Sequence, residues 1–365
     1  MDIQILKPGK FPLLVSNQNL FLLLCLFIFI KMLQFATTAA TVLLSTTVMG
    51  QDMAMDPDFP MFQKFVEDHH RRYNNQADVM GRFQLFKQTL VAIKERNNQG
   101  SEIHGINKYA DMHPDEFAKM TKGYKPSKSR SNPLISYTQH HQQNVTIAVE
   151  KTKTIDWRSK GAVSPIKNQG QCGSCWAFSA TEQMESNYFL SKGTLPILAP
   201  QQIVSCDTTD DGCNGGNPST AYEYVESVGG LEPETAYPYT SGTTEINGAC
   251  TSKAKDETVD ISNWGIVSQT AAGESNMLKQ IESSPISICV DATIWQTYQS
   301  GIITTKSKCG SSLDHCVQAV GYNSPKKYWI VRNSWGTDWG NDGYIYVQAG
   351  HNNCGIALEA TIVAI

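Results

Sequence analysis

The chain reads as an α+β protein, and two observations point there. Apolar residues recur at three- and four-residue spacing through residues 51–120 and again after residue 174, as helices require. Later, short apolar or alternating runs are broken by Gly, Asn, Ser and Pro, as strands and their turns require. Helices gathered in one part and strands in another give α+β order rather than alternating β and α units. At 365 residues, 41% hydrophobic and 18% charged, the chain has material for one large or two ordinary domains besides any segment removed later.

The N-terminus is apolar. Leu20 to Ile30 is an uncharged run, Lys31 interrupts it, and a Thr-rich apolar stretch continues from Met32 to Gly50. Neither run reaches the roughly 20 residues of a spanning helix. Residues 1–50 therefore read as a secretory signal peptide, cut near Ala40 or Gly50, or as an uncleaved signal anchor. Only the anchor would hold the protein to a membrane. Either way the body enters an oxidising compartment that permits disulfides.

Phe62, Phe65, Val66 and His69 form one helical stripe, and Arg82, Phe86, Leu90, Ile93 and Asn97 a second. They predict a small amphipathic helical domain. Residues 121–150, Lys- and Ser-rich and then Gln- and His-rich, lack a period and read as an exposed linker. Asn144-Val145-Thr146 within it is a glycosylation sequon. Farther on, Ser174 can cap a helix reaching about Leu190, with Ala177, Ala180, Met184 and Tyr188 as its apolar stripe and Lys192-Gly193 as its stop. Ile286–Val290, Cys316–Val320, Tyr328–Val331 and Tyr344–Val347 are the predicted strands.

Charge divides unevenly. Residues 1–150 carry 16 basic and 13 acidic side chains, and residues 151–365 carry 14 and 21. An acidic body argues against a nucleic-acid partner, and a basic front segment can be attracted to it. Unrelated surface charge explains the same counts.

Ten cysteines are present, one of them (Cys25) in the signal region; nine remain, enough for one free thiol and four pairs. They do not form two C-x-x-C pairs at metal-ligand spacing, so no metal site is read. The most specific local string is Cys172-Gly173-Ser174-Cys175-Trp176, with Gln169 just upstream. It sets a thiol at the mouth of a helix, whose N-terminus favours the thiolate.

That string resembles the active-site cysteine motif of the papain and cathepsin family of cysteine proteases. Asp78, Arg82, Phe86, Ile93 and Asn97 match the interrupted E-R-F-N-I-N helix of cathepsin L-like propeptides, with Asp for Glu at 78 and Thr89 where Asn is usual. Gly105, Asn107, Tyr109 and Asp111 resemble the second propeptide motif, G-x-N-x-F-x-D, with Tyr for Phe. Asp156-Trp157-Arg158 resembles the opening of mature enzymes and puts the mature N-terminus near Lys151. The resemblance spans roughly residues 60–365. It implies a papain-like two-lobe fold, a helical lobe plus a β-barrel-like lobe, with an N-terminal helical propeptide. The implied domains are 1–50, signal peptide or signal anchor; 51–150, inhibitory propeptide and activation linker; and 151–365, the mature peptidase.

Residue by residue, the resemblance makes Cys175 the nucleophile, His315 its proton carrier and Asn333 the residue that orients His315. Gln169 and the backbone N–H of Cys175 become the oxyanion donors. Trp335 shields the Asn–His bond, whereas Trp339 reads as an ordinary core residue. It implies a thiolate–imidazolium pair and the disulfides Cys172–Cys213, Cys206–Cys250 and Cys309–Cys354. Cys289 and Cys316 have no partner in the basic family pattern; they either form a fourth disulfide or stay as two buried thiols.

Gly215 and Gly216 map to the strip that pairs with substrate backbone, where glycine permits close approach. Asn217 replaces the aromatic or apolar residue often found next. Pro218, Cys289 and Cys316 map to the walls of the pocket for the second residue before the scissile bond, and Glu359 to its floor. Such a pocket is expected to take hydrophobic residues and Arg. The interval Cys175 to Cys206 is 31 residues and Cys206 to Cys213 only 7, too short for a carboxydipeptidase's occluding loop.

The implied function is a cysteine endopeptidase acting on protein and peptide substrates, made as a zymogen, inhibited by its own propeptide and activated in acid as carboxylates protonate. It needs no cofactor, acts as a monomer, and is destined for a lysosome, an acidic vacuole or the outside of the cell. A silent family member that only binds is the alternative class, against which the four intact catalytic positions weigh. Peptide ligation through the same acyl-enzyme is a third reading.

Overall fold

A computed structural model describes residues 51–98, 103–127, 154–252 and 259–365. The signal stretch, the sequon at Asn144 and the processing region near Lys151 lie outside the described residues. The chain divides into two compact units between Met80 and Gly81.

In the first unit, helix α1 (Phe59–Asp68) opens with a proline in its first turn and buries Phe59, Phe62 and Phe65. Val66 and His69 of the predicted stripe are only half-buried, and His69 is the C-cap. Tyr73 stacks on Phe62, ring centres 6.0 Å apart.

Helix α2 (Gln76–Asn97) buries Phe83, Phe86 and Thr89. This corrects the predicted stripe through Arg82, Leu90 and Asn97. Arg82 instead grips both oxygens of Glu116, at 2.7 and 2.9 Å. Asn97 clamps the backbone of His104, donating to its carbonyl at 2.8 Å and accepting its N–H at 3.0 Å. The motif positions Arg82 and Asn97 thus make polar contacts, while Phe86 among them is buried. Glu116 lies in the first turn of helix α3 (Pro114–Thr121), where Asp115 and Glu116 face unpaired N–H groups and the His113 side chain caps Asp115.

The rest of the second unit has a helical part and a sheet part. Strand β1 (Ile155–Asp156) precedes helices α4 (Cys175–Lys192), α5 (Pro200–Cys206) and α6 (Pro218–Val228). Strand β2 (Asn263–Ser268), helix α7 (Glu274–Gln280) and strands β3 (Ile286–Val290), β4 (Ile302–Ile303), β5 (His315–Asn323), β6 (Tyr328–Arg332), β7 (Tyr344–Gln348) and β8 (Ala360–Ala364) follow. The sheet order is β2-β8-β3-β5-β6-β7-β4, with β1 added against β5. Among these strands only β4 and β7 pair parallel. The path ends at β2 and β4, so the expected barrel-like lobe is an open sheet.

Two cores result. Trp176, Ala180, Met184, Ile203, Tyr222 and Val225 pack in the helical part, and Ile286, Ile288, Trp295, Trp329, Val331 and Trp335 in the sheet part. Helix α4 is buried on every side from Cys175 to Asn187. Its predicted stripe is real for Ala177, Ala180 and Met184, while Tyr188 is half-buried. The opposite face is buried too, by polar stitches to the sheet: Ser179 donates to the Val317 carbonyl at 2.7 Å and Gln318 to the Glu182 carbonyl at 3.1 Å. Gly193 ends the helix in the left-handed region, φ 80°, as expected. Ser174 occupies the N-cap position without capping, because its hydroxyl turns to Tyr239 at 2.8 Å.

Four disulfides close: Cys172–Cys213, Cys206–Cys250, Cys309–Cys354 and, of the two alternatives left open, the bonded one, Cys289–Cys316. The last joins directly opposed residues of β3 and β5. Cys175 is the free cysteine among the described residues.

Candidate active site

Cys175 is the first residue of α4 and is fully buried. The Cys172–Cys213 bond and the hydrogen bond from Gly173 N–H to the Cys213 carbonyl, 2.9 Å, fix the approach to the helix against the Gly215-Gly216 strip. Backbone groups of Cys316, Gly123 and Trp176 hydrogen-bond the Cys175 thiol. Cys316 is the residue after His315, so the thiol lies at the head of β5.

His315 Nε2 stands 2.8 Å from Asn333 Oδ1. A carbonyl oxygen only accepts, so Nε2 carries the proton and Nδ1 is left as an acceptor. Nδ1 is buried with no hydrogen-bond partner. The Trp335 ring stacks on the imidazole, centres 4.7 Å apart at 24°, and Trp295 meets it edge-on at 6.1 Å. Trp339 packs edge-on against Trp335 at 4.8 Å. Asn333 is thereby sealed at 0% exposure.

Gln169 joins this group through Ser334, whose hydroxyl donates to Gln169 Oε1 at 2.7 Å. Its Nε2 donates to the Cys172 carbonyl and to the Thr121 carbonyl, each at 3.0 Å. Thr121 belongs to the N-terminal segment. A carbonyl of that segment thus already engages the amide expected to serve an oxyanion.

Residues 121–125 are not the exposed linker predicted. Thr121 is 1% exposed, and 122–125 are half-buried along the site. Gly216 N–H donates to the Gly123 carbonyl at 2.8 Å, and Lys125 N–H to the Gly216 carbonyl at 2.9 Å. Gly123 and Tyr124 N–H both reach the Asp314 carbonyl at 3.1 Å, and Lys122 pairs with the Asp314 carboxylate at 2.7 Å. Lys125 also pairs with Asp211. The sequence missed this docking because part of it runs through backbone groups, which no side-chain period records, and its ion pairs join residues far apart in the chain. The one available signal was Gly123.

Upstream, the G-x-N-x-F-x-D-like residues anchor the same segment. Asn107 donates to the carbonyls of Gln296 and Tyr298 at 2.8 and 3.1 Å. A Cβ on Gly105 would meet Gln299 Oε1 at 1.9 Å. Tyr109 and Phe117 stand edge-on to Trp335 at 5.8 and 5.1 Å.

Tyr124 enters the pocket predicted from Cys289, Cys316 and Glu359. It packs against the two cysteines and Cys175, and its hydroxyl donates to Glu359 Oε2 at 2.6 Å. Asn217 donates to Glu359 Oε1 at 2.6 Å. Pro218 is buried at the start of α6.

Burial pushes the Cys175 thiol up to about 12, against the lowering effect of its backbone hydrogen bonds. Burial likewise takes the His315 imidazole down to about 3, although the Asn333 bond raises it. Under the docked segment burial favours the neutral form of each group. Excluding water removes what would solvate either charge.

A thiol heading a helix, an imidazole with one free nitrogen and a self-supplied chain lying across both define a thiol peptidase in its closed pro-form. The family model described as papain family cysteine protease matches residues 151–364, and that of the cathepsin propeptide inhibitor domain (I29) matches residues 62–117. The chain belongs to the papain family of cysteine proteases and is made with this inhibitory propeptide domain. The oryzain gamma chain of Oryza sativa subsp. japonica is 36% identical over 333 residues, 88% of this chain and 88% of that one. Cysteine proteinase 5 of Dictyostelium discoideum is 34% identical over 325 residues, 82% of this chain and 90% of that one. The solved structure of digestive procathepsin L2 proteinase from Tenebrio molitor larval midgut matches at TM-score 0.74 and 31% identity, over 84% of this chain and 99% of that one.

Among the described residues no His, Cys, Asp and Glu cluster has the form of a metal site, and no helix is long and apolar enough to cross a membrane.

Proposed function

We propose that residues 151–365 are an endopeptidase that cleaves peptide bonds through an acyl-enzyme on Cys175, freed when residues 51–150 are removed. The observation that carries this reading is the buried, unpartnered Nδ1 of His315 at the strand end that also meets the Cys175 thiol. Departure of residues 121–125 readmits water. The α4 N-terminus and mutual attraction then favour thiolate and imidazolium. The thiolate adds to the substrate carbonyl, whose oxyanion takes the Gln169 Nε2 donor vacated by Thr121 together with the Cys175 N–H. His315 gives its proton to the leaving amine, then takes one from the water that hydrolyses the thioester. Asn333 and Trp335 keep the ring in place throughout.

Substrate backbone pairs along Gly215 and Gly216, as Gly123 and Lys125 now do with Gly216. The second residue before the scissile bond enters between Asn217, Pro218, Cys289 and Cys316 over Glu359. Hydrophobic side chains and Arg are accepted there. The zymogen travels the secretory pathway behind residues 1–50 and carries glycan at Asn144; the processed enzyme works as a monomer in an acidic vacuole, a lysosome or outside the cell. Labelling with an epoxide-type thiol inhibitor tests the core of the reading: one equivalent on the mature enzyme with parallel loss of peptidase activity is expected, and none on Cys175→Ala. Activity persisting after full Cys175 modification would refute it.

A further inference from the structure

We propose that Asn217 and Glu359 together read a phenol, so that the enzyme selects tyrosine at the second residue before the scissile bond. This rests on the reading of their cavity as that subsite. Glu359 is 9% exposed and its two oxygens are separately engaged. Oε1 accepts the Asn217 amide and Oε2 accepts the Tyr124 hydroxyl, both at 2.6 Å.

Asn217 is not free to turn away. Its Oδ1 caps α6 by accepting the Ser219 N–H at 2.9 Å, which points Nδ2 at Glu359 and at the Lys125 carbonyl, 3.0 Å distant. The cap therefore fixes the amide, and the amide fixes the carboxylate. One oxygen is left facing the cavity, with room for a single donor.

Tyrosine has one donor at the end of a flat apolar ring, and Cys289, Cys316 and Leu313 supply apolar walls around that ring. Phenylalanine fills the same space but leaves a buried carboxylate oxygen without a hydrogen bond. Arginine brings a fork of donors to a carboxylate already half taken, so its two-point pairing is lost. Burial raises the Glu359 pKa, and the bonds from Tyr124 and Asn217 lower it, as expected if donors at this spot sustain the charge. The zymogen fills the cavity with its own tyrosine.

The test measures kcat/KM of the processed wild-type enzyme on peptides identical except for Tyr, Phe, Leu, Arg or Ala at that position. Tyr is expected to lead Phe by about tenfold or more, since a site built to bond a hydroxyl rejects the analogue lacking it. Glu359→Ala should bring the Tyr/Phe ratio toward one. Asn217→Ser, which keeps a capping oxygen but loses the amide, should raise Arg relative to Tyr. Equal rates for Tyr and Phe, both far above Ala, would overturn the phenol reading and leave the subsite standing. So would Arg leading Tyr in the wild type. Ala performing as well as Tyr and Leu would overturn the subsite as well.

Discussion

The Thr121 carbonyl oxygen lies 3.0 Å from Gln169 Nε2, so the inhibitory segment and the proposed oxyanion share one donor. Trp335 Nε1 also approaches this carbonyl, at 3.3 Å. A bond that closes the zymogen is thus the bond the transition state needs. Gln169→Ala should lower turnover of the mature enzyme by about a hundredfold or more, the usual cost of one oxyanion donor, with KM little changed. The same substitution should speed release of the propeptide, because Thr121 loses its donor. Turnover within a few-fold of wild type would remove Gln169 from the mechanism.

Acid should open the zymogen through His104 rather than through Asp314. Asp314, which holds Lys122, has its carboxyl raised by burial, so the docked state keeps a proton more readily than a solvated carboxyl and acid does not release the segment by this route. His104 has the opposite sign. Its imidazole is taken down to about 4 by burial and by the Arg96 guanidinium, against a hydrogen bond at Thr297. Arg96 and His104 Nδ1 both bond the Thr297 hydroxyl, at 2.6 and 2.9 Å, and His104 Nε2 has no partner. Docked, the ring binds fewer protons than it does in water. Docking contributed here is intact above the ordinary pKa of 6.5 and is lost as pH falls toward 4. Processing should therefore quicken by about tenfold between pH 7 and 5 and lose most of that rise in His104→Gln. An identical pH profile in the variant would clear His104 of the role.

Much of this arrangement was legible because certain residue types have few other uses. Cys175 at a helix start, His315 and Asn333 lie in short strings whose spacing is tied to chemistry, and the structure joins His315 to Asn333 directly. Gly193 is a helix stop in any fold. Other features depend on partners far away in the chain. Glu182 and Glu185 look like a solvent face of α4, yet both are buried; Lys167 sits 3.0 Å from Glu185, and Arg332 lies 3.5 Å from Glu182. Strands β2 and β8 pair across almost a hundred residues and show no clean alternation. Gly123 and Lys125 looked like linker because their hold on Gly216 runs through the main chain.

Cys289–Cys316 bridges 27 residues between paired strands, and its closure should be measurable without activity. Loop-closure entropy for that span corresponds to roughly 3–4 kcal/mol. The Cys289→Ser/Cys316→Ser double variant should lose stability of that order in denaturant unfolding, less whatever the strand pairing already restores. Thiol titration of the unfolded, unreduced mature enzyme should find one reactive sulfhydryl, that of Cys175. Three would mean that the pair is open in solution.

Gly123 lets the inhibitory segment pass the nucleophile at backbone distance. A Cβ there would fall 1.8 Å from the Gly173 carbonyl oxygen, which itself precedes Ser174 and the α4 start, so neither side can yield cheaply. The Gly123 carbonyl also lies close to Gly215, whose own Cβ would meet it at 2.7 Å. Three glycines thus allow two main chains to touch over Cys175. Gly123→Ala should lift the segment off the site, and epoxide labelling of Cys175 in the full-length chain at pH 7 should rise about tenfold or more over the wild-type zymogen. Processed enzyme from the same variant should match wild type in kcat/KM, since on the proposed processing residue 123 leaves with the propeptide. That comparison separates a lost closure from a damaged catalyst. Labelling as slow as in the wild-type zymogen would mean that the close approach at Gly123 does not hold the site shut.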